Sequence, residues 1–142
     1  MNSSVRRMFI LLGLVSGLLI MTFAINTFSV LAEEIPCITP EELKKLIENK
    51  ADIVVVDNQP KVAYDMGHLP EAVNFPWASE IRRPVNLPRD KVLILYCACA
   101  HEEDSADVAD QLIKNFGYKN IKLLKGGLLQ WLKLGYPIEK KD

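Results

Sequence analysis

Short apolar runs alternate with amphipathic stretches along most of the chain, and the first thirty or so residues follow a different pattern. Ile53–Val56 is a β-branched run closed by Asp57, Ala72–Phe75 is a second short run, Val92–Tyr96 is the most hydrophobic, and Ile121–Leu124 is the fourth. Continuous apolar runs of this length predict strands buried on both faces. The stretches between them have helical spacing. Thr39 can cap a helix, Pro40 suits its first position, Glu41 and Glu42 suit its first turn, and Leu43, Leu46 and Ile47 form its apolar stripe, ending near Asn49-Lys50. Lys61–Met66 predicts one or two turns stopped by Gly67. A longer helix is expected from about Asp104 to Phe116, with Ala106, Ala109, Leu112, Ile113 and Phe116 inward and Gly117 as its stop. A last helix is expected over Leu128–Leu134, opened by Gly126-Gly127 and closed by Gly135-Tyr136-Pro137. Pro76–Arg89 holds three prolines and no period, with at most a brief turn at Trp77–Ile81. This alternation predicts an α/β fold: a parallel sheet flanked by helices on both faces.

The leader changes the picture of where that domain works. Arg6 and Arg7 precede an uncharged stretch that reaches Leu31, densest at Met8–Met21. A positive flank, an apolar middle and the small residue of Val30-Leu31-Ala32 are the pattern of a signal peptide. The uncharged stretch is also long enough for a membrane anchor. Thr22, Asn26, Thr27 and Ser29 dilute its second half and favour cleavage. Either way residues 1–32 are set apart from a domain at 33–142, expected outside the cytoplasm: periplasmic, or anchored to the outer face of the membrane.

Charge and cysteines narrow the function. The chain has 17 basic and 18 acidic residues, and losing Arg6 and Arg7 with the leader leaves a formal charge of −3. The basic residues are scattered, which excludes a nucleic-acid face, and any membrane contact is left to the N-terminal segment. The terminal Glu139–Asp142 is expected to be solvated. Three cysteines, Cys37, Cys97 and Cys99, leave at least one without an intramolecular partner, so a disulfide framework is not their purpose.

Val92–Ser105, VLILYCACAHEEDS, carries the candidate chemistry. An apolar strand stops at Cys97, small and polar residues follow, and a helix begins beyond them. Loop amides and a helix start can converge on one point there, and the helix dipole favours negative charge, as a reactive thiolate requires.

In order and spacing the motifs resemble the rhodanese (sulfurtransferase) family. They are Asp57 after the first buried strand, Tyr64-x-x-Gly67-His68-Leu69-Pro70-Glu71-Ala72-Val73-Asn74-Phe75-Pro76, the Tyr96-Cys97 loop, and Leu124-x-Gly126-Gly127-x-x-x-Trp131-x-x-x-Gly135-Tyr136-Pro137. The resemblance implies a single rhodanese domain in which Cys97 takes up sulfane sulfur as a persulfide and passes it to a thiophilic acceptor. It implies an active-site loop of Ala98, Cys99, Ala100, His101, Glu102, Glu103, Asp104 and Ser105, and no cofactor. The partners would be a small sulfur-containing substrate and a thiol acceptor.

Two departures bear on the substrate. Many family members have six loop residues from the cysteine and an arginine just before the helix. Here Cys97 to Asp104 is eight residues, without arginine, and Glu102, Glu103 and Asp104 would repel an anionic donor such as thiosulfate. A structural account of the acids also stands: Asp104 or Ser105 caps the helix and the glutamates favour its first turn. The second departure is Cys99, which can close a disulfide with Cys97, resolve a persulfide on it, or have no role. With His101 the two cysteines also alternate as soft ligands, which motivates an alternative, a non-catalytic rhodanese-like binding or metal-handling module of the cell envelope. His68 and Asp57 are expected to organise turns by hydrogen bonds, and Trp77 and Trp131 to pack. Cys37 is expected to be free or in an intermolecular disulfide.

Overall fold

The structure is a computed structural model and describes residues 34–99 and 101–141. The leader, and with it the choice between signal peptide and anchor, lies outside the described residues. Among those described, no helix is long and apolar enough to cross a membrane.

Five strands form one parallel sheet: β1 (Cys37–Ile38), β2 (Ile53–Asp57), β3 (Val73–Asn74), β4 (Val92–Tyr96) and β5 (Ile121–Leu124). Their order is β1-β5-β4-β2-β3, so β4 is central, between β5 and β2. Four helices accompany them: α1 (Pro40–Glu48), α2 (Lys61–Met66), α3 (Glu103–Phe116) and α4 (Gly127–Lys133).

Alternation along β4 divides the core. Leu93 and Leu95 face Val108, Ala109 and Leu112 of α3, with Phe75, Ile81 and Tyr118 completing that layer. Ile94 and Tyr96 face the other way, onto Leu43 of α1, Leu128 and Trp131 of α4, and Leu69. Both sheet faces are therefore covered, as the continuous apolar runs require.

The expected start of α1 is present in full. The Thr39 hydroxyl accepts from the Glu42 N–H and the Glu42 carboxylate accepts from the Thr39 N–H, a reciprocal capping box with Pro40 at the first position. Other expectations need correction. Strand β1 was missing from the sequence reading, because two residues have no period and the strand exists only through pairing with β5. No helical turn occurs at Trp77–Ile81. The inward face of α3 holds the expected Ala109 and Leu112, with Ala106 and Phe116 packed at its edge, and adds Ser105 and Val108, whereas Ile113 is exposed. Glu139 is not simply solvated: His68 and Glu139 exchange backbone hydrogen bonds of 2.9 Å, and the Lys141 N–H donates to the Asp65 carbonyl at 3.0 Å. The C-terminal strap thus closes over the Gly67–Pro70 turn.

Candidate active site

The site stands at the carboxyl end of β4, where parallel α/β sheets present their loops. Cys97 is the first residue beyond the strand and is 1% exposed. It lines a cleft of about 470 Å³ together with Ala98, Cys99, Glu103, Asp104 and, from the chain after β2, Gln59, Pro60 and Ala63. The sequence marks those last three only as a loop and a helix start. The buried run ending at Asp57, adjacent to the strand that carries the cysteine, is the signal that could have found them.

Helix α3 begins at Glu103, one residue before the expected start, so Cys97 to the first helical residue is seven residues, not eight. Acidic residues read alike as loop or as first turn, which is why the boundary moved. Neither Asp104 nor Ser105 caps the helix. Glu102 holds the cap position in a left-handed conformation, φ 58°, with no side-chain cap, and the buried Ser105 hydroxyl donates to the Glu102 carbonyl at 2.9 Å. The uncapped first turn of α3 lines the Cys97 cleft, which sets the positive end of a helix dipole beside that cysteine.

Both ends of the loop are tied to the start of α4. The Cys97 carbonyl accepts from the Leu128 N–H at 2.9 Å, and the Glu102 carboxylate accepts from the Gly126 N–H. Gly127 lies against the Cys97 carbonyl. The predicted loop residues therefore divide between two sides. Ala98, Cys99, Glu103 and Asp104 share the cleft of Cys97, whereas His101 and Glu102 line a second cleft of about 480 Å³ with Thr39, Pro40, Glu41, Lys125, Gly126 and Gln130. Ser105 lines neither. Ala100 lies outside the described residues.

Cys97 and Cys99 are joined by a disulfide, with Cα atoms 5.4 Å apart. The Cys99 N–H also points at the Cys97 sulfur, 3.3 Å away. Cys37 is free and exposed. Among the described residues no group of three His, Cys, Asp or Glu is placed to hold a metal ion.

The charge at the mouth is negative. Glu103 and Asp104 line the cleft and no Lys or Arg does. The carboxyl pKa of Glu103 is held below the usual value by its own N–H and that of His101, so it stays ionised. Arg83 lies over the Phe75 ring and donates to the Pro76 carbonyl, and Arg82 pairs with Glu80.

Behind the loop, Asp57 and Tyr96 sit side by side in register, both fully buried. The Asp57 carboxylate accepts from the Tyr96 hydroxyl, from the Gln59 N–H at 2.7 Å and from the Gln59 side chain at 3.0 Å. The Tyr96 oxygen in turn accepts from the Leu69 N–H at 3.0 Å. Burial raises the Asp57 pKa against the lowering effect of these donors, and burial beside Asp57 raises that of Tyr96. This hub joins β2, β4 and the 67–70 turn. Its role, and that of His68, whose Nδ1 lies 2.8 Å from the Tyr64 carbonyl, is to hold the turns. Trp131 is core and Trp77 is half exposed, bonded to Asp107.

Comparison with known proteins gives these features a context. A family model of the rhodanese-like domain matches residues 39–134. An HTH-type transcriptional regulator of Mycobacterium tuberculosis is 29% identical over 139 residues, covering 98% of this chain and 60% of that protein. A sulfurtransferase of Allochromatium vinosum is 25% identical over 101 residues, covering 71% of this chain and 92% of that one. The chain also matches yeast proteins described as adenylyltransferase and sulfurtransferase, and spans about a fifth of their length (23%, 19% and 20%). Among solved structures, a rhodanese-like domain protein from Staphylococcus aureus superposes with a TM-score of 0.63 at 24% identity, over 76% of this chain and 100% of that one.

Proposed function

The chain belongs to the rhodanese-like domain family, and from that premise we propose that it is a sulfurtransferase or persulfide carrier whose nucleophile is Cys97. A sulfur-transfer role is the family-level activity. The finer reading rests on one observation: Cys97, at the end of the central strand, lines a cleft together with the first turn of a fourteen-residue helix.

The chemistry starts from the reduced loop. The Cys97 thiolate attacks the sulfane sulfur of a donor, a sulfur–sulfur bond forms, the donor's own bond to that sulfur breaks, and the donor leaves with the electron pair. A persulfide carries negative charge, which the Cys99 N–H and the α3 dipole are placed to stabilise. A thiophilic acceptor then takes the outer sulfur. Glu103 and Asp104 disfavour small dianions at the mouth, so the donor is neutral or less charged than thiosulfate.

The test uses the full chain carrying Cys37→Ser and Cys99→Ser, so that Cys97 is its one remaining thiol and nothing in the loop discharges what it takes up, reduced and freed of reductant. Offered an organic persulfide, it gains sulfur on Cys97, and Cys97→Ser gains none there. No sulfur uptake by any sulfane donor, or equal uptake by Cys97→Ser, removes the reading.

The acidic mouth without a cation favours a second reading, a non-catalytic rhodanese-like binding module. Under it the reduced chain folds normally and takes up no sulfur. The leader supports a compartment outside the cytoplasm, in keeping with the loop disulfide. A phosphatase reporter fused at Asp142 would be active under that reading and silent otherwise.

A further inference from the structure

We propose that Cys99 is the resolving thiol of this site: it discharges a persulfide on Cys97 as hydrogen sulfide and leaves the loop as the Cys97–Cys99 disulfide. The inference rests on Cys97 accepting sulfur and names the fate of that sulfur.

The bonded pair shows that the Cys99 sulfur reaches the Cys97 sulfur itself. In a persulfide the Cys97 sulfur is the inner one, and the sulfur that is attacked decides the product. Attack on the outer sulfur would only move the persulfide to Cys99. Attack on the inner sulfur forms the Cys97–Cys99 bond, breaks the bond to the outer sulfur and expels it as hydrosulfide. Cys97–S–S⁻ and Cys99–SH thus give Cys97–S–S–Cys99 and HS⁻. The thiol proton leaves with the sulfide, together with the electron pair of the broken bond, so no outside oxidant takes part.

Three features favour this internal route. The two cysteines are separated only by Ala98, which gives the resolving thiol a high effective concentration. Glu103 and Asp104 at the cleft keep out anionic acceptors that would otherwise compete for the outer sulfur. Cys97 is buried whereas Cys99 is partly exposed. A recycling thiol therefore meets Cys99 first, and the Cys97 thiolate, facing the Cys99 N–H, is the leaving group. The second thiol of the same molecule completes the exchange. The co-reactant is thus a dithiol, protein or small molecule, oxidised to its own disulfide as Cys97 and Cys99 are reduced.

The test compares full chains that all carry Cys37→Ser, which removes the free exposed thiol. Each is reduced without air, freed of reductant and given one equivalent of cysteine persulfide, which carries less charge than thiosulfate. Sulfide is trapped and the intact mass recorded. The chain with both loop cysteines should release close to one sulfide per chain and end two hydrogens lighter. Cys99→Ser and Cys99→Ala should each end one sulfur heavier, with sulfide release down at least ~tenfold, as loss of an internal thiol requires. If the two-cysteine chain keeps the added sulfur and releases no more sulfide than Cys99→Ser, the resolving role is overturned while sulfur acceptance at Cys97 stands. If the Cys99 variants gain no sulfur at all, sulfur acceptance fails, and the resolving role fails with it.

Discussion

A Cβ at residue 127 would lie 2.4 Å from the Cys97 carbonyl oxygen, and the residue already has φ +50°. Both facts require glycine, and both concern the loop more than the helix that Gly127 opens. Gly127→Ala is expected to cost more than ~1 kcal/mol, since a side chain is forced into an unfavourable φ and against backbone. Sulfur uptake should fall with it, because the loop must shift. Denaturant unfolding and the uptake assay measure the two effects. Asp57 gives a pH-dependent counterpart. Burial raises its pKa above the ordinary aspartate value of 3.8, so the folded chain holds the proton more tightly than the unfolded one. Its contribution to stability is complete below pH 3.8 and is lost as the pH rises through the folded value. Asp57→Asn should therefore lose less stability than the parent as the pH rises above 3.8, whatever the absolute cost of disturbing its hydrogen bonds. An equal slope in the two proteins would contradict this. Little of this residue-level design was open to the sequence. Gly126-Gly127 stood out as a helix opening, but not the carbonyl that it accommodates. Asp57 stood out as a strand end, but not its pairing with Tyr96, which needs the register of two strands far apart in the chain.

Helix α3 is where the sequence and the structure differ most instructively. Its stop at Gly117 was readable, because the left-handed C-cap is a local requirement. Its face was not. Ser105 and Gln111 are buried by virtue of their partners: Gln111 accepts from the Ile81 N–H at 2.8 Å and donates to the Ala78 carbonyl at 3.0 Å. A pattern of apolar positions cannot register polar residues satisfied by a distant loop. The first turn of α3 also sets the electrostatics of the site. Replacing Glu103 and Asp104 together by lysine should raise sulfur uptake from thiosulfate several-fold. The gain should shrink at high salt, as it does for interactions between exposed charges. A salt-independent change, or none, would show that the mouth does not select by charge.

At the scale of the molecule, the parallel sheet delivers Asp57, Cys97 and the β5–α4 connection to one end, and the chain's own C-terminus steadies the turn beside them. The alternation of strands and helices made that architecture legible; the strap was not, since Lys141 acts through its backbone and Glu139 through its backbone and a carboxylate that accepts from the distant Glu71 N–H, partners that no local pattern registers. Truncation after Pro137 should lower stability by about 1–3 kcal/mol through loss of paired backbone groups around His68. It should leave the difference between Cys97→Ser and its parent in sulfur uptake intact. Thermal unfolding of the truncated chain would check the first part, and the uptake assay the second.

The two ties of the Cys97–Glu102 loop both end on Gly126–Leu128. The stretch between them behaves as a cassette with fixed attachment points. Any six-residue sequence that keeps its first carbonyl and its last carboxylate in place inherits the same footing. Neither tie falls on residues 98 to 101, so substitutions there leave both attachment points standing, and on the proposed reading they alter the sulfur chemistry without rebuilding the sheet.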